Sequence, residues 1–131
     1  MTTEERIQLI EEFVDFAALH LKIDQLPKMT FIDDKSWVLT RHSFGEYSND
    51  KMSIVIYIAN RNLADVLRTL GHELTHHKQN ELGLLYSKSG ETGSPVEDEA
   101  NIVAGILMRE FGKRHSMIYE SIKKNVLFEL L

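Results

Sequence analysis

The stretch Gly71-His72-Glu73-Leu74-Thr75-His76 constrains this chain more than any other part of it. Two histidines four residues apart lie one turn apart on the same face of a helix, so both imidazoles reach a single metal ion. The glutamate between them reaches a water beside that ion and takes its proton. Such a motif works only on a helix whose other face is anchored in a core. Leu63, Val66, Leu67, Leu70 and Leu74 recur at helical spacing and predict a helix over 62–82, ended by Gly83. At about 100° per residue, His72 and His76 point away from that stripe, towards a cleft. With 6 His in the chain, a chance match to this pattern is expected roughly 0.03 times. The motif is therefore read as a metal site.

Composition narrows what completes the site. The chain has no cysteine, so every metal ligand must be His, Asp or Glu. A catalytic zinc takes three protein ligands and keeps one position open. The downstream acidic candidates are Glu97, Asp98 and Glu99. They fall on a helix predicted over 95–112, which Ser94 caps and Pro95 opens, with Val96, Ala100, Val103, Leu107 and Phe111 as its core stripe. Glu97 and Asn101 share a face with Ala104 and Met108 beside that stripe, whereas Asp98 and Glu99 turn towards solvent or another surface. Glu97 is the expected third ligand. Asn101 is expected to hydrogen-bond a ligand imidazole and fix its tautomer. Ser94 and Glu97 also have capping-box spacing, but Ser94 caps the helix without Glu97. His77 lies on the Leu70/Leu74 side and is read as a structural histidine.

The remaining periodicities predict an α+β domain spanning 1–131. Ile7, Ile10, Phe13, Val14, Ala17 and Leu21 mark a helix over 3–21, capped by Thr2 or Thr3, with Glu4 and Glu5 in its first turn. Strands are expected at 29–33 and 36–40 around a turn at Asp34-Lys35, at 43–47, and at 52–59 after a turn at Ser48-Asn49-Asp50. The run Ile54-Val55-Ile56-Tyr57-Ile58 predicts a strand covered on both faces. Trp37 is expected to anchor the core. Residues 83–94 read as a Gly- and Ser-rich loop. Ile118, Ile122, Val126 and Leu130 suggest a last helix over 116–130. A sheet of three or four strands should pack on the 62–82 helix, with the N-terminal helix on the far side.

Charge and hydropathy exclude other classes. A net charge of -5 opposes a broad electrostatic grip on nucleic acid, so no nucleic-acid partner is expected. No apolar run approaches the roughly 18 residues that cross a bilayer, and no membrane partner is expected. The opening MTTEERIQLIEEF is acidic where a signal peptide is basic and apolar. A cytoplasmic location is expected, and the lack of cysteine fits a reducing compartment.

Taken together, these segments resemble the gluzincin group of zinc metallopeptidases. That group pairs HExxH with a downstream Glu in an ExxxD- or ExxAN-like motif, here His72 to His76 and then Glu97-Asp98-Glu99-Ala100-Asn101. The stretch EDEANIVAGILM is also similar to a helix of the ImmA/IrrE-type metallopeptidases. In size and in the segments around both motifs, the chain is similar to small metallopeptidase-like proteins encoded by bacteriophages. The resemblance covers residues 52–112. It implies a zincin-like fold, one Zn²⁺ per chain, a peptide or protein substrate, and the host cytoplasm for a phage-encoded chain. It also implies that the 52–59 strand lies beside the cleft, where an extended peptide could pair with it. Arg109 stands where the ImmA/IrrE pattern commonly has Pro, and no helix-turn-helix segment is seen, so that family's repressor-cleaving role is not carried over.

In the resulting reading, His72, His76 and Glu97 hold zinc, and Glu73 is the general base for peptide-bond hydrolysis by water at the metal. His42, His115, Tyr47, Tyr86 and Tyr119 remain open as candidates to stabilise the oxyanion. A zinc-stabilised regulatory or binding module with little proteolysis is the alternative; a metal-free helical interaction protein is a third. Retention of Glu73 favours the peptidase, because a purely structural site has no use for a base.

Overall fold

The leucine stripe behind the HExxH segment builds the centre of the molecule. In the computed structural model, which describes residues 1–85 and 94–119, the order is α1 (Thr3–Leu21), β1 (Lys28–Ile32), α2 (Lys35–Arg41), β2 (Gly45–Ser48), β3 (Ser53–Tyr57), α3 (Leu63–Glu81) and α4 (Pro95–Arg114), followed by a 3-10 turn, Ser116–Tyr119. This is an α+β arrangement: four helices and a three-stranded mixed sheet that packs against α3.

Helix α3 carries the motif and is enclosed on several sides. Leu63, Val66, Leu67, Leu70 and Leu74 are buried as their spacing predicts, meeting Phe13 and Val14 of α1, Ile54 and Ile56 of β3, and Leu107 and Phe111 of α4 in one core. The helix ends where Gly83 adopts φ 72°. There the amides of Gly83 and Leu84 donate to the carbonyls of Asn80 and Gln79, each at 2.9 Å. These are the paired bonds of a Schellman stop, which needs a residue that tolerates the left-handed region. Helix α4 runs antiparallel to α3, since Gly71 faces Ala104 and Leu107 while Gln79 faces Val96. A Cβ on Gly71 would sit 3.3 Å from the Phe13 ring and 3.6 Å from the Ala104 Cα. The glycine thus lets α1 and α4 approach α3 right beside His72.

The sheet order is β1-β3-β2, with β1 parallel and β2 antiparallel to β3. Strand β3 is therefore central and paired on both edges. It is not the strand beside the cleft, as the resemblance implied; β2 holds that position. Nor is β3 covered equally on both faces, because Ile54 and Ile56 are fully buried while Val55 between them is only half-buried. Glycine brings β2 against α3: a Cβ on Gly45 would lie 2.6 Å from the Thr69 methyl and 3.0 Å from Ile56 Cδ1.

Two expectations fail on local chemistry. Residues 36–40 form part of helix α2, not a strand. The Asp34 carboxylate accepts from the Ser36 amide at 2.9 Å and the Ser36 hydroxyl at 2.7 Å, so the supposed turn is an N-cap. Trp37 does not anchor the core. It is half-buried on a helix with no buried residue, and the Arg41 guanidinium lies 4.9 Å from its ring centroid. The helix expected over 116–130 begins as the 3-10 turn; its remainder, like residues 86–93 of the expected loop, lies outside the described residues.

Candidate metal centre

One turn of α3 and the first turn of α4 bring the predicted ligands together. Ser94 caps α4 by accepting from the Glu97 amide at 3.2 Å, which leaves the Glu97 side chain free to face α3. His72 Nε2 lies 2.9 Å from Glu97 Oε1, His76 Nε2 lies 3.0 Å from Glu97 Oε2, and the two Nε2 atoms are 3.0 Å apart. One donor atom from each residue falls within a set no more than 4.8 Å across. A tetrahedral zinc with bonds of about 2.0–2.1 Å needs ligand atoms about 3.3 Å apart. The observed spacing meets this after movements of a few tenths of an ångström.

The donor chemistry fits a cation as well. His76 Nδ1 lies 2.8 Å from Gln79 Oε1. The Gln79 amide nitrogen donates to the Val96 carbonyl and to a Glu99 carboxylate oxygen, each at 2.9 Å. Both of those partners only accept, so the end of Gln79 facing His76 must be its oxygen. Nδ1 of His76 therefore carries a hydrogen in every protonation state that this network allows. Nε2 is left as the atom that takes either a proton or a metal ion. Asn101 lines the same cleft from α4, within reach of the His72 imidazole. Burial first, and then the neighbouring His76, hold the His72 imidazole below the usual histidine range, with Glu97 and Asn101 pulling the other way. Two imidazoles and one carboxylate form a set suited to zinc.

Glu73 sits beside this cluster, 7% exposed, with its carboxylate 3.9 Å from His72 Nε2. Burial, reinforced by the Glu97 and Glu46 carboxylates, pushes its carboxyl up to about 8. A positive charge among His72, His76 and Glu97 would draw it down again. His72, Glu73, His76, Glu97 and Asn101 all line one open cleft of about 890 Å³, walled on the other side by residues 43–47 of β2 and its approach.

The other candidates fall elsewhere. His77 is fully buried, facing the Gln25 carbonyl at 2.7 Å through Nε2 and the Tyr47 hydroxyl at 2.8 Å through Nδ1. It ties the segment before β1 to α3 and stands outside the ligand cluster. Among the described oxyanion candidates, only Tyr47 lines the cleft. Its hydroxyl accepts from Asn80 at 2.9 Å and lies 2.8 Å from His77 Nδ1. His42 is an exposed C-cap, His115 stacks on Phe111, and Tyr119 reaches the Met108 carbonyl. Tyr86 lies outside the described residues.

Asp98 is exposed, as predicted, but the Glu99 carboxylate turns back to Gln79. Sequence reasoning missed Gln79. The available signal was its position three residues beyond His76, on the same helix face.

Among the described residues, no helix is long and apolar enough to cross a membrane. Comparison with protein-family models, with curated proteins and with solved structures finds no match.

Proposed function

We propose that this protein is a zinc-dependent metallopeptidase of gluzincin type. The observation that carries the reading is the convergence of His72, His76 and Glu97 donor atoms on the floor of an open cleft, with the Glu73 carboxylate buried beside them. His72, His76 and Glu97 are the residues that would hold the ion. Zinc at such a site acts as a Lewis acid that polarises a carbonyl and acidifies water.

The chain's own groups supply the rest. A Glu73 carboxylate oxygen takes the proton of the attacking water and passes it to the nitrogen of the leaving amine. The position of Glu73 supports this role, because low-dielectric surroundings bring its proton affinity towards neutrality, where a general base works best. Strand β2 supports a peptide substrate. Its far edge pairs with no strand among the described residues, and Gly45, Glu46 and Tyr47 line the cleft. An extended peptide laid along that edge would gain main-chain hydrogen bonds and bring a carbonyl past the metal-binding face of α3.

The test compares wild type with Glu73→Gln on a broad peptide library, with zinc content measured in parallel. The variant keeps the side chain's size but cannot accept a proton. It should stay folded and zinc-loaded while turnover falls about 10²–10⁴-fold. Zinc stoichiometry near zero in wild type would overturn the metal reading. Bound zinc with no cleavage that depends on Glu73 would favour the binding-module alternative.

A further inference from the structure

One buried amide contacts both helices that supply the metal ligands. Gln79 is 1% exposed and makes three hydrogen bonds, to His76, to the Val96 carbonyl and to Glu99. Val96 and Glu99 lie on either side of Glu97 near the start of α4. We infer that Gln79 is the positioning residue of this site, orienting the His76 ring and tying it to the turn that presents Glu97.

The direction of each bond carries the inference. The Val96 carbonyl and the Glu99 carboxylate demand a donor, so the Gln79 nitrogen faces α4 and its oxygen faces α3. That oxygen demands a hydrogen on His76 Nδ1, which leaves Nε2, 3.0 Å from both Glu97 Oε2 and His72 Nε2, as the ring atom turned to the proposed metal position. The Glu99 carboxylate makes one bond charge-assisted and polarises the amide, so its oxygen becomes a better acceptor for His76. A hydrophobic side chain of similar volume would hold the two helices together by packing. It would leave the His76 ring free to rotate and to exchange tautomers, and it would leave the Val96 carbonyl without this donor. A glutamate at position 79 would still accept from His76 but would face the Glu99 carboxylate and the Val96 carbonyl with no donor. Moving the donor to position 99 relieves the clash between the two side chains.

The metal half of this inference rests on the proposed zinc site, whereas the tautomer half does not. The experiment uses the full chain and reads both. In zinc-free protein at alkaline pH, ¹⁵N NMR of the His76 side chain should show one tautomer, with the hydrogen on Nδ1. Gln79→Leu should give a mixture of tautomers and weaken zinc binding about 10–100-fold. Gln79→Glu should also weaken zinc, and combining it with Glu99→Gln should recover a substantial part of the loss. A purely structural clamp would not shift the tautomer, nor would it be rescued by exchanging donor and acceptor between positions 79 and 99. If Gln79→Leu fails to fold, Glu99→Gln, altered at an exposed position, and the double substitution supply the same comparison. A single unchanged tautomer in folded Gln79→Leu, or no recovery in folded double variant, overturns the inference. If wild type binds no zinc but the tautomer follows Gln79, the metal reading fails and the positioning of His76 stands.

Discussion

Histidines 76 and 77 are neighbours in sequence, yet their chemistry diverges. His76 faces a carboxylate and a second imidazole with one nitrogen and an amide oxygen with the other. His77, about 100° further round the helix, spends both nitrogens on a tyrosine hydroxyl and a main-chain carbonyl. Only the first has an atom to offer a ligand. Replacing His77 with Phe keeps much of the ring volume but leaves the Gln25 carbonyl without its partner. We expect about 1–3 kcal/mol of lost stability, the usual cost of a buried polar group left unpaired. Zinc stoichiometry should stay at that of wild type. Urea unfolding and metal analysis on the same preparation check both halves, and loss of zinc from a folded His77→Phe variant would place His77 in the metal site.

Close approaches at glycine govern how the elements meet. Strand β2 can lie against α3 only because residue 45 has no side chain: a Cβ there would press into the Thr69 methyl. Thr69 has little freedom to turn aside, since its hydroxyl donates to the Asp65 carbonyl at 3.0 Å and accepts from Arg61 at 2.7 Å. Gly45→Ala should therefore force β2 away from α3, at a cost of about 1–3 kcal/mol typical of overpacking. The same displacement widens the cleft on the side where β2 lines it, so peptide turnover should fall further than zinc affinity. Equal retention of stability and turnover in the alanine variant would show that the edge strand adapts freely.

For the molecule as a whole, metal binding and folding should be linked. The three proposed ligands come from two helices separated in sequence by residues 82–94, so an unfolded chain offers no preformed site. Free zinc at 100 times its dissociation constant should stabilise the native state by about 2.7 kcal/mol. For a chain of this size that is a rise in Tm of at least about 5 °C. A chelator should abolish the rise, and Glu97→Ala should shrink it while Asp98→Ala leaves it intact. Calorimetric scans of the three proteins with and without zinc would show this, and an equal shift in all three would remove Glu97 from the ligand set.

Some of this could be read from spacing alone. The HExxH helix, its buried stripe, its Gly83 stop, the pairing of Glu97 with His72 and His76, and the place of Asn101 in the cleft wall all follow from helical periodicity, which is local and strongly patterned. What spacing could not supply depends on partners distant in sequence. Residues 36–40 carry β-branched and aromatic side chains, but a two-residue capping bond from Asp34 outweighs that weak preference for a strand. Which strand forms the cleft edge depends on sheet order, which pairs β1 with β3 across the intervening α2 and β2. The roles of Gln79 and His77 appear only when the Val96 carbonyl and the Gln25 carbonyl are brought to them. A buried polar side chain takes its function from the groups that satisfy it, and those groups are assembled by the fold.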